Sequence, residues 1–210
     1  MRFFSYSTLL LILVAGCTKQ PASYVDSKIG NLSGQTFPGA VCPFGMVSAS
    51  PFWNYPSNEK DSIITGFGQI HRNGLKSKDV WGGPSIMPFS GDFYGDMEEV
   101  LSSYNDEKAS PGYYSVFLKT YNILAEMTTT SRTSRYRFTF NQTDQAFVAL
   151  DLSKHLNNAY DKSYIKVISL QEAEGYLSEG GMNNDRSGIH NVYFVIRFLK
   201  HIFSYLIHAF

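Results

Sequence analysis

Between Tyr113 and Phe140 apolar and polar residues alternate with a period of two in "YSVFL", "ILAEMTTT" and "RYRFTF". That period sends successive side chains to opposite faces of a strand, so each segment gains one buried and one solvated face. The "KTYN" between the first two is turn-forming, and the segments Tyr113 to Leu118, Ile123 to Thr130 and Tyr136 to Phe140 read as antiparallel strands. Short β-type runs recur at Val41 to Ala49, Ser62 to Phe67, Ala146 to Leu152, Ile165 to Leu170 and Val192 to Phe198, cut by Gly, Pro, Asn and Ser. Helical periodicity is weak, and the best candidate is a short helix around Asp96 to Tyr104 in "DMEEVLSSY". The pattern predicts an all-β fold, an antiparallel β-sandwich with few short helices.

The N-terminal "MRFFSYSTLLLILVAGC" has a different pattern, with Arg2 ahead of an apolar run from Leu9 to Val14 and small residues before Cys17. This is the layout of an export signal, and the run is shorter than the about 20 residues that a permanent span requires. "LVAGC" resembles the lipobox of bacterial lipoproteins, in which cleavage leaves a lipidated cysteine at the N-terminus. On that reading residues 1–17 are the signal, Cys17 is the lipid anchor, residues 18–23 are a polar tether and the globular part starts at Tyr24. The expected location is exported and lipid-anchored, in the periplasm or at the outer membrane and cell surface. With two cysteines in the chain, Cys42 is then the only other thiol, so no intrachain disulfide is expected. Cys42 itself reads as a small packed residue, since no His and Asp signal accompanies it.

Composition narrows the functional classes. A chain that is 43% hydrophobic and 17% charged can bury a sizeable core and is not a disordered segment. Lys and Arg number 18 and so do Asp and Glu, which removes the clustered positive field that nucleic acid binding needs. The membrane is expected to be met only through the lipid anchor. The 14 Tyr and 16 Phe suit β packing, and also suit sugar binding, because aromatic faces cover the apolar faces of pyranose rings.

Stand-alone catalytic signatures are missing: the chain has no HExxH, GxSxG, phosphate loop or CxxC. "NNDRSG", Asn183 to Gly188, begins like a calcium loop but carries Phe194 where the twelfth-position Glu belongs, and so reads as a turn. Asp92, Asp96, Glu98 and Glu99 crowd "GDFYGDMEEV", yet a glycosidase needs two carboxyls facing each other across the scissile bond, which clustering does not supply. His71, in "SIITGFGQIHRNGLKS", reads on chemistry alone as a solvent-facing or locally hydrogen-bonded loop histidine.

Taken together and in order, "YVDSKIGN", "QTFPGAVCPFGMVSASP", "SIITGFGQIH", "NDEKASPGYYSVFL", "LAEMTTTSRTSRYRFTF" and "VYFVIRF" resemble the N-terminal domain of the bacterial α-mannosidases of glycoside hydrolase family 92. The resemblance covers residues 24–198. It implies a β-sandwich of the supersandwich type followed in the complete enzyme by a helical (α/α)6 catalytic domain. It also implies an exo-α-mannosidase acting on mannose-containing glycans by inversion, with calcium as cofactor. The catalytic acid and base and most calcium ligands would belong to the helical domain, so the resemblance assigns no catalytic residue and no metal ligand to this chain.

The family loop "GFSHTHLSGTG" contributes to the cleft wall. Laid on it, Gly66 and Phe67 match, Gln69 replaces the first histidine, His71 matches the second and Gly74 matches a loop glycine. Trp53 is what remains of an aromatic segment that precedes this loop. The resemblance therefore makes His71, Gln69, Trp53 and Gly74 the candidate sugar-contacting residues. Gly39, Pro43, Phe44 and Gly45 match as turn and packing positions, and Arg132 matches as the arginine of a strand-edge ion pair.

Residues 199–210, "LKHIFSYLIHAF", depart from the family pattern, and Arg197 just before them with Lys200, His201 and His208 within them break the apolar run too often for a membrane helix. A frameshift or premature stop soon after Phe198 is the expectation, leaving a fragment inactive by itself and inclined to aggregate through uncovered strand edges. Two other readings stay open: a stand-alone carbohydrate-binding module, and one half of a split enzyme. The lipobox reading predicts that Cys17→Ser abolishes incorporation of labelled fatty acid; labelling that persists in the variant would remove Cys17 as the anchor.

Overall fold

The computed structural model describes residues 20–29, 37–54, 63–71, 81–93, 100–141, 145–153, 160–179 and 190–199. Residues 1–19 with Cys17, Gly74, Asp96, Glu98, Glu99, residues 183–188 and residues 200–210 lie outside them. A 3-10 turn at Pro21–Tyr24 precedes fourteen strands: β1 (Ala40–Val41), β2 (Ser48–Asn54), β3 (Ile63–Gly68), β4 (Ile70–His71), β5 (Trp81–Gly82), β6 (Ser85–Ser90), β7 (Ser102–Ser110), β8 (Tyr113–Leu118), β9 (Ile123–Thr129), β10 (Ser134–Phe140), β11 (Ala146–Asp151), β12 (Tyr160–Ser169), β13 (Glu172–Glu179) and β14 (His190–Arg197). All their pairings are antiparallel, and the fold is all-β as the alternation predicts.

Nine strands form one branched sheet. Its main path runs β1-β2-β3-β7-β8-β9-β10, while β6 joins β3 and carries β11 on its other side. The branch arises because β3 pairs with β7 through Ile63 and Ile64 and with β6 only at Phe67. The sheet folds over on itself: Phe67 of β3 meets Phe138 of β10 at 6.2 Å between ring centroids, and Phe89 of β6 meets Tyr121 at the same separation. Phe67, Met87, Tyr114, Val116, Leu118, Ile123, Ala125 and Met127 fill the space between, all essentially removed from water. In β8 and β9 these are the alternate inward positions, which accounts for the period in the sequence.

The structure corrects three local expectations. The run from Val41 to Ala49 is two strands, divided by a turn in which the Gly45 N–H donates to the Cys42 carbonyl at 3.0 Å. Phe44, and not a glycine, takes the left-handed conformation there, with φ of 56°, and its ring is fully exposed instead of packed. The segment expected to be a short helix is extended from Ser102 onward, as the start of β7. β7 also shifts register between Asn105 and Lys108, where Asp106 has φ of 51°, so the polar "NDEK" bulges out of the ladder.

β12, β13 and β14 make a separate three-stranded sheet. Gly175 sits at its centre in close contact with both neighbours: a Cβ there would lie 2.2 Å from the Tyr164 carbonyl oxygen and 2.7 Å from the Phe194 ring. Backbone cannot retreat as a side-chain tip can, so Gly175→Ala is expected to destabilise by about 1–3 kcal/mol through overpacking. A denaturant melt measures it, and an unchanged midpoint would show that the strands can separate without cost.

Candidate functional site

The segment from Gly66 to His71 leaves β3, turns at Gln69 and pairs again as β4 with β5, His71 lying opposite Trp81. Its backbone is held from β2, where the Ser48 N–H donates to the Gln69 carbonyl at 2.9 Å. The Gln69 side chain is held from β10: its Nε2 donates to the Tyr136 hydroxyl, and its Oε1 accepts from the Ser134 hydroxyl. The Tyr136 hydroxyl in turn donates to the Gly68 carbonyl at 3.3 Å. Burial pushes the Tyr136 phenol far above its ordinary range, so it remains a neutral donor and acceptor at any physiological pH.

Gly68 makes the close approach possible. A Cβ at this position would fall 2.1 Å from the Phe52 ring, so only a hydrogen lets β2 carry a phenylalanine across the end of β3. His71 emerges half-buried beyond this anchor and lies against Phe37, with ring centroids 3.7 Å apart at 44°. A tilted aromatic and imidazole pair supplies ring area of the kind that covers the apolar face of a sugar. Phe37 was not singled out by the sequence, because the 34 positions between it and His71 hide the contact.

The four candidates therefore divide. His71 and Gln69 belong to one anchored segment and are both half-buried, His71 against Phe37 and the Gln69 amide bonded to Tyr136 and Ser134. Trp53 is only 7% exposed and packs in the main core through its place on β2. Gly74 lies outside the described residues. Arg132 is exposed in the turn between β9 and β10, and Cys42 is half-buried. Asp92, from the carboxylate cluster, accepts from Gln145 Nε2 at 3.3 Å. Among the described residues no three His, Cys, Asp or Glu side chains gather as a metal ion would need, so no step is assigned to calcium on these residues.

Residues 24–208 match the family model described as the glycosyl hydrolase family 92 N-terminal domain. The fold is similar to a family GH92 alpha-mannosidase from Bacteroides thetaiotaomicron, with a TM-score of 0.74 and 27% identity over 89% of this chain and 26% of that one. Its complex with mannoimidazole gives a TM-score of 0.72 at 27% identity, over 87% of this chain and again 26% of that chain. A protein of Arthroderma benhamiae named "Uncharacterized secreted glycosidase" is 32% identical over 133 residues, 56% of this chain and 17% of its own length. The chain thus spans about a quarter or less of the length of these relatives.

The Gln69 clamp predicts a specific coupling. Gln69→Ala leaves the buried Tyr136 and Ser134 hydroxyls without their partner and is expected to cost about 1–3 kcal/mol. A double-mutant cycle with Tyr136→Phe should return a coupling of about 0.5–3 kcal/mol; strictly additive losses would show that the two side chains do not act together.

Proposed function

The chain belongs to glycosyl hydrolase family 92, whose N-terminal domain it carries, and on that premise we propose that it is the sugar-facing β-domain of an exported exo-α-mannosidase. The substrate is a terminal α-linked mannose of a glycan. The observation that supports this most is the anchored Gly66 to His71 segment, which sets a half-buried imidazole against Phe37 at the end of β3. Export is supported by the signal-like first 17 residues and by the likeness to a glycosidase named as secreted.

In this reading the two parts of the enzyme have separate work. The helical domain supplies the carboxylic acid that protonates the leaving oxygen and the carboxylate that activates water, about 6.5–9.5 Å apart in an inverting enzyme. Calcium, held there, supplies positive charge to the sugar hydroxyls. The residues of this chain bind and orient. His71 and Phe37 form a wall against which the terminal mannose lies, and the Gln69 amide, Tyr136 and Ser134 keep that wall from moving when the sugar leaves. A rigid wall matters because an error of about 1 Å in the reacting geometry costs orders of magnitude in rate.

The test is hydrolysis of α-mannobiose followed by proton NMR, with this chain alone and joined to the helical domain. Turnover is expected only in the joined form, with β-mannose appearing first and activity lost on chelation of calcium. In that form His71→Ala is expected to lower kcat/KM by about tenfold to a hundredfold, equal to about 1.4–2.8 kcal/mol of transition-state binding. Release of mannose by this chain alone, or α-mannose as the first product, would overturn the proposal.

A further inference from the structure

The three-stranded sheet has two unlike faces. Ile165, Val167, Leu177, Val192, Phe194 and Ile196 alternate on one of them, all half-buried or buried. A single row of tyrosines crosses the other, one from each strand: Tyr164 lies opposite Tyr176, and Tyr176 opposite Tyr193. Their ring centroids are 6.0 and 5.7 Å apart, with interplanar angles of 26° and 48°. Tyr164 is 50% exposed and Tyr193 73% exposed, while Tyr176 is half-buried between them.

The rows beside the tyrosines are mostly polar. Lys166 lies opposite Glu174, with Val195 completing that row, and the next row holds the ion pair of Arg197 and Glu172 at 2.7 Å. On the other side Ser178 donates to Asn191 Oδ1 at 2.6 Å, and Asn191 Nδ2 donates to the Tyr193 hydroxyl at 3.3 Å, which fixes the end of the row. Exposed Leu170 and Leu199 lie at the β12–β13 turn end, with the Arg197 and Glu172 pair between them and the tyrosines.

This pattern selects among occupants. A stable protein partner needs about 800 Å² on each side with an apolar, charge-depleted centre, and here the exposed Tyr164, Tyr193, Val195 and Ile168 are interrupted by Lys166, Glu174 and the Arg197 and Glu172 pair. Lys166 and Arg197 are offset by Glu174 and Glu172, which leaves Lys162 as the one further exposed cation near the row among the described residues, far short of the clustered charge a polyanion needs. A neutral, ribbon-shaped ligand whose apolar ring faces alternate with hydroxyl edges does fit. Its rings would lie on the tyrosines, whose centroids recur at 6.0 and 5.7 Å, and its hydroxyls would reach the flanking polar rows.

We propose that Tyr164, Tyr176 and Tyr193 form a glycan-binding platform, on a different sheet from His71, that holds an oligosaccharide by stacking successive pyranose rings along the row. Binding here keeps a polymeric substrate beside the enzyme after each terminal sugar has gone, by raising its effective concentration. The platform rests on the tyrosine row; the choice of α-mannan as its ligand rests on the mannosidase reading above.

Affinity electrophoresis of the full chain in gels containing yeast α-mannan, or the β-glucan laminarin, tests it. The wild-type chain is expected to be retarded by α-mannan, and Tyr193→Ala and Tyr164→Ala to weaken that binding by about tenfold each, the effect of losing one central aromatic contact. Tyr193→Phe keeps the ring and should stay within about twofold of wild type. As a check that needs no variant, mannotriose titrated into chain carrying 13C-labelled tyrosine should shift ring signals. No retardation in either gel, or loss with His71→Ala and not with the tyrosine variants, overturns the platform. Retardation by laminarin alone, lost with the tyrosine variants, upholds the platform and removes mannose as its ligand, leaving the α-mannobiose assay to decide the mannosidase reading separately.

Discussion

A half-buried amide joins the two leaves of the folded sheet. Gln69 extends from the junction of β3 and β4 to the Tyr136 and Ser134 hydroxyls on β10, residues more than 60 positions away along the chain. The pair of contacts uses both ends of the amide, one donating and one accepting, so neither end is left to water or to apolar neighbours. Such a network is worth having only when complete, because each unsatisfied member in a low-dielectric interior costs more than a made bond returns. The hydrophobic residues around it set the depth of the core. The amide sets which part of β3 faces which part of β10, something non-directional burial cannot do. The position of His71, two residues on, follows from that registration.

The same logic explains where the sheet branches and where proline enters it. β3 gives its first residues to β7 and only Phe67 to β6, so neither neighbour runs along its whole length. Pro88 lies in β6 past that single pairing, and Pro51 lies in β2 past the last residue paired with β1. Both occupy stretches with one ladder rather than two, where a missing donor is tolerated.

How far the sequence disclosed this fold depended on how each strand is buried. β8, β9 and β10 alternate cleanly because one face packs in the core and the other meets water, and their bounds were readable within a residue or two. β7 was not, since "SSYNDEKAS" exposes most of its side chains and bulges at Asp106, and without a buried face it has no apolar period. β13 was missed for a related reason: "EAEGYLSE" places Gly175 where a side chain would carry the pattern. β6 was hidden by Pro88. The site was legible as a segment but not as a set of contacts. A local motif identifies Gln69 and His71, whereas the partners that give them their roles, Tyr136, Ser134 and Phe37, are distant in sequence and ordinary in composition.

Two edge strands, β10 of the nine-stranded sheet and β14 of the three-stranded sheet, differ in how their open edges are guarded. Among the described residues β10 pairs only with β9 and β14 only with β13, so each has one edge of backbone donors and acceptors with no strand beside it. β10 carries Arg135 and Arg137, both exposed, with Arg137 fixed by two 2.6 Å bonds to Glu126, whose carboxyl this arginine holds below the usual carboxylate range. Charges held on an edge repel an incoming strand. β14 has one comparable cation, Arg197, at its last residue, and its preceding stretch "HNVYFVI" is uncharged with His neutral. The edge of β14 therefore lacks the charges that guard β10, so of these two edges it is the one open to a further strand.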